Sequence, residues 1–202
     1  MRAKRRAGPR RPAVFLDRDG VLNRLVMRDG CGASPRRLAD FRLLPGAGTA
    51  VRALRGAGFL VIVVTNQPDV ARGVLDAAEL GRMHEILAAK LGVDAIYACT
   101  HDDEDGCCCR KPRPGLLLRA GEEWDVDLSA SYLVGDSWKD VGAGRAAGCR
   151  TVLVSNRVGN RSTGEDADFV VRSFKAAVSL ILPHAGSGRT SKPGRTRPPL
   201  HS

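Results

Sequence analysis

Two carboxylates follow the first apolar run of the chain. Residues 13–16 are apolar, and Asp17, Arg18, Asp19 and Gly20 come directly after them. Because side chains alternate between the two faces of a strand, Asp17 and Asp19 can point toward one site at the end of this strand. Two close carboxylates repel each other unless a cation lies between them, and a hard cation such as Mg²⁺ prefers oxygen ligands. The pattern therefore indicates a metal site, with a metal-free acidic turn as the alternative for this segment on its own.

Further polar residues recur after later segments of the chain. In chain order they are Thr65, Asn66, Gln67, Lys111, Asp136 and Asp140. A lysine in a loop, or an aspartate at the start of a helix, is ordinary when it stands alone. Combined with the first carboxylate pair, these residues indicate one shared polar site that carries both acidic oxygens and an ammonium group.

A second cluster combines thiols with an imidazole. Cys99 and His101 are two residues apart, as are Cys107 and Cys109, so each pair shares a side in an extended chain. Three thiolates and one imidazole form a closed tetrahedral Zn²⁺ set, in which the metal is structural rather than catalytic. Cys108 could compete for a ligand place, and free thiols beside a surface histidine are the alternative. The cluster predicts a small zinc loop over residues 99–109 that leads directly into the lysine at position 111.

The polar residues need a scaffold that brings the ends of strands together. Strands are expected at residues 13–17, 59–64, 95–99, 132–134, 151–154 and 169–171, and helices at 45–55, 76–91, 114–124, 140–147 and 173–182. Continuous apolar runs are typical of strands buried in a parallel sheet. The alternation predicts an α/β fold with helices on both faces, and such sheets bind ligands at the carboxyl ends of their strands. Residues 18–45 contain several glycines and prolines and are expected to be mainly loop.

Length and composition bound the class of protein. The chain has 202 residues, of which 43% are hydrophobic, and this suits one domain with a substantial core. No apolar run approaches the roughly 20 residues that span a membrane, and no signal-peptide pattern follows the basic N-terminus. We expect a cytoplasmic monomer whose cysteines are thiols or metal ligands, with Cys31 and Cys149 as ordinary thiols.

The formal charge of +10 comes from the two ends of the chain. Residues 1–12 hold six basic residues and residues 184–202 hold four, whereas residues 13–183 have 22 basic and 22 acidic residues. Both ends lack periodicity and are rich in Pro, Gly, Ser or Arg, so we expect disordered tails around one domain at 13–183. Such tails could contact nucleic acid through charge alone, but solvated ends are the simpler interpretation and no specific nucleic-acid binding is predicted.

The motifs, taken in order, resemble those of the haloacid-dehalogenase-like (HAD) phosphotransferases. Asp17-x-Asp19-Gly-Val is similar to the first motif, Thr65 to the second, Lys111 to the third, and Gly135-Asp136-x₃-Asp140 to the fourth. Closer still, Phe-Leu-Asp-Arg-Asp-Gly-Val-Leu-Asn, Val-Thr-Asn-Gln-x₃-Ala-Arg-Gly and Cys-Arg-Lys-Pro-x-Pro-Gly resemble the D-glycero-D-manno-heptose-1,7-bisphosphate phosphatases, whose relatives include the histidinol-phosphate phosphatases. The resemblance covers roughly residues 13–172 and implies a Rossmann-like HAD fold with a mainly parallel central sheet.

The resemblance also implies a role for each motif residue. Asp17 would attack phosphorus and form an aspartyl-phosphate, and Asp19 would protonate the leaving oxygen and later deprotonate water. Mg²⁺ would be bound by Asp17, Asp136 and the backbone carbonyl of Asp19. Thr65 with neighbouring amides would hold the phosphoryl oxygens, and Lys111 would neutralise their charge. The resemblance therefore predicts a Mg²⁺-dependent phosphatase.

The substrate is predicted from the surroundings of this site. No large insertion separates the motifs, so no large cap domain is expected, and the 24–45 loop and the zinc loop would frame an open pocket. Asn66, Gln67, Arg72 and Arg110 are candidate substrate-binding residues, and the two arginines could grip a second anionic group. Asp140 is expected to orient the lysine at 111 or waters around the metal. The favoured substrate is a small phosphorylated metabolite such as a sugar bisphosphate.

Three hypotheses about function remain open. The first is a heptose-bisphosphate or similar sugar-phosphate phosphatase, and the second is a histidinol-phosphate phosphatase with the same catalytic motifs. Pro68, Asp69 and Ser137 depart from the pattern of the heptose enzymes, which keeps the second hypothesis open. The third is a zinc-stabilised nucleic-acid-binding module that uses the basic tails. The neutral core and an aromatic content of 4% argue against the third.

Overall fold

The computed structural model describes residues 10–155 and 166–184. In chain order the strands are β1 (Ala13–Leu16), β2 (Val26–Arg28), β3 (Cys31–Ala33), β4 (Leu60–Asn66), β5 (Ala95–Cys99), β6 (Tyr132–Gly135), β7 (Arg150–Val154) and β8 (Phe169–Val171). The helices are α1 (Ala47–Gly56), α2 (Ala77–Leu91), α3 (Gly115–Glu123), α4 (Trp138–Ala147) and α5 (Phe174–Ile181). Strands and helices therefore alternate along most of the described chain, as the apolar pattern predicts.

Six of these strands form the central sheet of the described ranges, in the order β5-β4-β1-β6-β7-β8. Every neighbouring pair is parallel, so the carboxyl ends of all six strands lie at one edge. The first strand is central, and Leu16 lies in register with Val63 of β4 and Val134 of β6. The residues that follow these three positions are consequently brought to the same level of the sheet, and the predicted α/β fold is confirmed.

Helices cover both faces of the sheet. Val14 and Leu16 of β1 face a core shared with α1, α2 and α5, whereas Phe15 faces a core shared with α3 and α4. All four residues of β1 are buried, which explains why the strand is apolar without alternation. The strand that leads into the first carboxylate is therefore fixed from both sides.

Residues 18–45, predicted to be mainly loop, contain one short β-hairpin. Strands β2 and β3 pair antiparallel, and Arg28 lies opposite Cys31 across the two-residue turn Asp29-Gly30. Both turn residues have positive φ, 50° and 75°, as a type I′ hairpin turn requires. The Asp-Gly dipeptide is a recognised signal for this turn, but three-residue strands are too short to give a clear period-2 pattern.

The predicted tails lie mostly outside the described residues. Residues 1–9 and 185–202 belong to these segments, so their predicted disorder stays a prediction. The ordered chain begins before residue 13, because Arg11 exchanges backbone hydrogen bonds with Asp125 and Asp127 and the Pro12 carbonyl accepts from Leu60. Within the part of the chain that the structure describes, no helix has both the length and the apolar character that crossing a membrane requires.

Candidate active site

A buried lysine joins two carboxylates at the carboxyl edge of the sheet. Lys111 Nζ donates to Asp17 Oδ1 at 2.8 Å, to Asp140 Oδ1 at 2.5 Å and to the Val64 carbonyl at 2.9 Å. Burial alone would lower the pKa of Lys111, but the Asp140 and Asp17 carboxylates outweigh it and raise that pKa above its ordinary value. The ammonium group is therefore charged at any working pH.

The carboxylates around this lysine outnumber it. Asp17, Asp136 and Asp140 can each offer an oxygen, and these oxygens lie within 4.8 Å of one another. Burial, reinforced by the neighbouring carboxylates against the attraction of Lys111, raises the pKa of Asp17 to about 8. Burial and the charge of Asp140 likewise raise the pKa of Asp136 to about 7. An all-oxygen donor set with excess negative charge fits a hard divalent cation such as Mg²⁺.

Asp140 has less freedom than the other two carboxylates. One of its oxygens contacts Lys111, and the other accepts from the Ser137 amide at 3.1 Å and the Ser137 hydroxyl at 2.6 Å. Its side chain is 2% exposed. Because both oxygens are engaged, the geometry favours Asp140 as the residue that orients Lys111 over Asp140 as a direct metal ligand.

Gly20 allows a close approach in the same region. Its φ is +81°, and a Cβ added there would lie 2.0 Å from Asp136 Oδ2. Any other residue would therefore be strained in its backbone and would also displace a carboxylate of the metal set. The glycine after the second carboxylate is thus required by the site itself.

Asp19 is held by donors from four residues. The Arg18 guanidinium faces it with Nε and Nη2 at 2.9–3.2 Å, Asn23 Nδ2 and Gln67 Nε2 donate at 2.8 Å, and Ser34 Oγ donates at 2.9 Å. Burial would raise the pKa of Asp19, but the Arg18 charge and these hydrogen bonds outweigh it and hold that pKa below its ordinary value. The Asp19 carboxylate is therefore ionised in this arrangement.

Sequence reasoning missed three of these four donors. Arg18, Asn23 and Ser34 were not among the candidate site residues, although Arg18 lies between the two motif carboxylates. Its position between Asp17 and Asp19 is enough to mark Arg18 as a candidate site residue from the sequence. No comparable signal existed for Ser34, which comes from the segment after the hairpin and reaches Asp19 only through the fold.

Two residues predicted to bind substrate contact the protein instead. The Asn66 side chain donates to the Lys111 carbonyl at 3.0 Å and accepts from the Lys111 amide at 3.1 Å. Gln67 Nε2 lies 2.8 Å from both Asp19 Oδ2 and Thr65 Oγ1, and Gln67 is fully buried. Both polar atoms of the Asn66 amide and the Nε2 donor of Gln67 are therefore engaged within the protein, whereas Gln67 Oε1 is buried without a hydrogen-bond partner among the described residues. The predicted substrate-binding role of the two residues stays a prediction.

The two arginines predicted to grip a second anion are paired with acids of the zinc loop. Arg72 donates to Asp102 at 2.6 and 2.7 Å and lies 3.6 Å from Asp69. Arg110 donates to Asp103 at 2.6 and 3.1 Å. Both guanidinium groups are therefore oriented in advance, and an anionic ligand would compete with these carboxylates for them.

The four predicted zinc ligands converge. Cys109 Sγ lies 3.2 Å from Cys99 Sγ, 3.4 Å from Cys107 Sγ and 3.3 Å from His101 Nδ1, and Cys99 lies 3.6 Å from both Cys107 and His101. Tetrahedral zinc with bonds of about 2.0–2.3 Å requires ligand separations of roughly 3.5–3.8 Å. The two distances from Cys99 to Cys107 and His101 lie in this range and the three distances from Cys109 lie slightly below it, so the four ligand atoms surround a space that a Zn²⁺ ion would fill after a small outward shift of Cys109.

Cys108 is exposed and stands outside this set of four. Its backbone serves the loop instead, because the Cys108 carbonyl accepts from the Gly115 amide at 3.1 Å at the start of α3.

Comparison with known proteins places the chain beside characterised enzymes. A HAD-hydrolase-like family model matches residues 108–177. The D-glycero-beta-D-manno-heptose-1,7-bisphosphate 7-phosphatase of Pseudomonas aeruginosa is 42% identical over 180 residues, which are 85% of this chain and 98% of the relative. The enzyme of the same name from Escherichia coli K12 is 37% identical over 179 residues, which are 81% of this chain and 90% of the relative.

Solved structures agree with this relationship. The D,D-heptose 1,7-bisphosphate phosphatase of B. bronchiseptica, solved with magnesium and phosphate, has a TM-score of 0.73 and 35% identity. The match covers 86% of this chain and 99% of that one. A putative HAD-like phosphatase from Mesorhizobium loti has a TM-score of 0.66 and 32% identity, covering 91% and 90% of the two chains.

Proposed function

Because this chain belongs to the HAD-like phosphatases, in the family of the D-glycero-D-manno-heptose-1,7-bisphosphate 7-phosphatases, we propose that it hydrolyses D-glycero-D-manno-heptose 1,7-bisphosphate to the 1-phosphate. The observation that carries the proposal is the contact of the buried Lys111 ammonium with Asp17 at 2.8 Å, beside Asp136 and Asp140. This arrangement combines a nucleophile with the positive charge that an anionic phosphate monoester requires.

Asp17 is the proposed nucleophile. Its carboxylate forms a bond to phosphorus while the bond from phosphorus to the sugar oxygen breaks, which leaves an aspartyl-phosphate. Lys111 lies beside the attacking carboxylate and offsets the charge of the transferred group. Mg²⁺ held by Asp17, Asp136 and the backbone carbonyl of Asp19 would supply further positive charge at the phosphoryl oxygens.

Asp19 is the proposed acid and base. Because Asp19 is ionised among its hydrogen-bond donors, it first takes up a proton from water or from the phosphate monoanion as the substrate binds. It gives this proton to the leaving sugar oxygen, and it then takes a proton from the water whose oxygen displaces Asp17 from phosphorus. We infer that Thr65 donates to a phosphoryl oxygen; in support, its Oγ1 accepts from Gln67, which leaves the hydroxyl proton for another acceptor.

A surplus of arginine beside the site supports a substrate with a second phosphate. Three guanidinium groups surround the Asp69 carboxylate, with Arg36 at 2.7 Å, Arg72 at 3.6 Å and Arg28 at 3.8 Å. Asp69 together with Asp102, the second partner of Arg72, offsets two of these three charges, so one positive charge is left over, and guanidinium groups suit planar contacts to phosphate. We infer that Arg72 and Arg110 hold the second phosphate of the sugar bisphosphate.

Zinc has a structural part in the proposal. With Cys99, His101, Cys107 and Cys109 as ligands, Zn²⁺ would hold the acidic loop whose exit leads into Arg110 and the catalytic lysine. The loop carries few apolar residues, so a metal is the natural source of its stability.

A steady-state comparison of substrates tests the proposal. We expect the heptose 1,7-bisphosphate to give the highest kcat/KM in a panel with histidinol phosphate, sugar monophosphates and p-nitrophenyl phosphate, with phosphate released from C7. Asp17→Asn should abolish turnover of every member while the far-ultraviolet circular dichroism stays unchanged, because an amide is a poor nucleophile. A higher kcat/KM for histidinol phosphate would favour the second hypothesis, and an active Asp17→Asn protein would overturn the mechanism.

The remaining predictions concern partners and location. A salt-sensitive interaction with DNA that disappears on removal of residues 1–12 and 184–202 would make any nucleic-acid binding peripheral to this activity. Monomeric state and cytoplasmic location stay predictions.

A further inference from the structure

Arg18 is a buried cation at the centre of the acid–base site. Its side chain is fully buried, its Nε and Nη2 face the Asp19 carboxylate, and its guanidinium carbon lies 5.7 Å from the centre of the Phe41 ring. Its remaining nitrogen, Nη1, lies 3.2 Å from Nε2 of His84 on helix α2. Carboxylate, aromatic face and imidazole therefore fix the guanidinium plane from three directions.

The partner at Nη1 determines the state of His84. A guanidinium group has donors and no acceptor, so His84 Nε2 must accept the hydrogen bond and the ring proton must be on Nδ1. Burial, followed by the Arg18 charge, lowers the pKa of His84 to about 4. His84 is thus a neutral acceptor that is 66 residues away from Arg18 in the chain.

We propose that His84 is a positioning residue for the acid–base step: its hydrogen bond with Arg18 Nη1 holds the guanidinium group that orients Asp19. This inference rests on the proposed phosphatase function and adds a residue that contacts neither substrate nor metal. Arg18 has four rotatable side-chain bonds, so two contacts to Asp19 alone leave its plane free to tilt. The bond to His84 removes that freedom.

The consequence concerns the fate of the leaving group. Asp19 passes its proton to the sugar oxygen as the bond from that oxygen to phosphorus breaks. The orientation of the Asp19 carboxyl group therefore matters most when the leaving group is a poor one. A sugar alkoxide needs this proton, whereas p-nitrophenolate leaves without it. Loss of the anchor should therefore affect the two kinds of substrate unequally.

The test compares two substrates in four variants of the full-length protein, and it uses kcat/KM, which reports the steps up to departure of the leaving group and excludes the later hydrolysis of the aspartyl-phosphate that both substrates share. His84→Phe keeps a ring but removes the acceptor, and we expect its kcat/KM on the heptose bisphosphate to fall about 10–100-fold, below the full share of roughly 10²–10⁴-fold that general acid–base catalysis contributes. Its kcat/KM on p-nitrophenyl phosphate should stay within about threefold. His84→Gln presents an amide oxygen near the position of Nε2 and should recover most of the loss. Glu85→Gln, an exposed neighbour on α2, is the matched control.

Asp19→Asn provides the reference pattern, a larger loss with the same preference for p-nitrophenyl phosphate. Equal losses of kcat/KM in His84→Phe on both substrates, wild-type kcat/KM on both, or no rescue by glutamine would overturn the proposal. If His84→Phe does not fold, His84→Leu carries the same prediction. If the wild type prefers another alkyl phosphate, the proposed substrate is wrong, and the same comparison on that alkyl phosphate still decides the role of His84.

Discussion

Replacement of Lys111 by methionine is the sharpest test of the charge balance at the site. The side chain of Lys111 is 3% exposed, and its ammonium contacts Asp17, Asp140 and the Val64 carbonyl. Methionine has a similar length and would fill the space, so the main change is the loss of one positive charge among three carboxylates.

The magnitude follows from burial. Removing one partner of a buried ion pair typically costs about 3–5 kcal/mol, because the remaining charge is left without compensation. Asp17 can relieve this cost by keeping its proton, since loss of the ammonium raises the pKa of Asp17 further above about 8. A carboxyl group whose pKa is raised by folding favours the folded state at low pH and loses that contribution as the pH rises. Below about pH 8 Asp17 holds its proton in both proteins, so the destabilisation should be about 3–5 kcal/mol at pH 9.5 and clearly smaller at pH 6.

Urea unfolding at pH 6 and pH 9.5 in magnesium-free buffer measures this difference. Lys175→Met, at an exposed position at the start of α5, is the control and should change the free energy of unfolding by less than about 0.5 kcal/mol. In Lys111→Met, kcat should also fall by at least about 10²–10³-fold, because a preorganised charge at the phosphoryl group is lost. A destabilisation below about 1 kcal/mol at pH 9.5, or the same value at both pH values, would refute the reasoning.

The other predictions concern the zinc loop and the close approach at the metal set. Metal analysis should find roughly one Zn²⁺ per chain in the wild type. Cys107→Ser and Cys109→Ser should lose this zinc, whereas Cys108→Ser should retain it. Zinc loss in Cys108→Ser alone would mean that the ligand set is wrong. Gly20→Ala should lower kcat by at least about 10²-fold, since its Cβ would lie 2.0 Å from a carboxylate oxygen. Gly73→Ala shares the positive φ but has open space around it, so it should lose stability while keeping kcat, and equal kcat in the two alanine variants would contradict the argument.

The sequence by itself determined the scaffold and most of the chemistry. Continuous apolar runs predicted strands buried on both faces, and the parallel sheet then required Asp17, Thr65 and Asp136 to meet at one edge. The cysteine spacing predicted which ligand atoms converge, because alternate residues of an extended segment share a side. These properties are local, so each depends on neighbouring residues that can be read in order.

Only the tertiary structure decided how the side chains are used. Asn66, predicted to bind substrate, bonds the backbone of a residue 45 positions away. Asp19, predicted as the acid and base of the reaction, is held by Arg18, which in turn contacts His84 across 66 positions. Such contacts arise because packed helices and loops restrict each side chain to the rotamer that satisfies its buried polar atoms, and no pattern along the chain encodes which distant group will supply the partner.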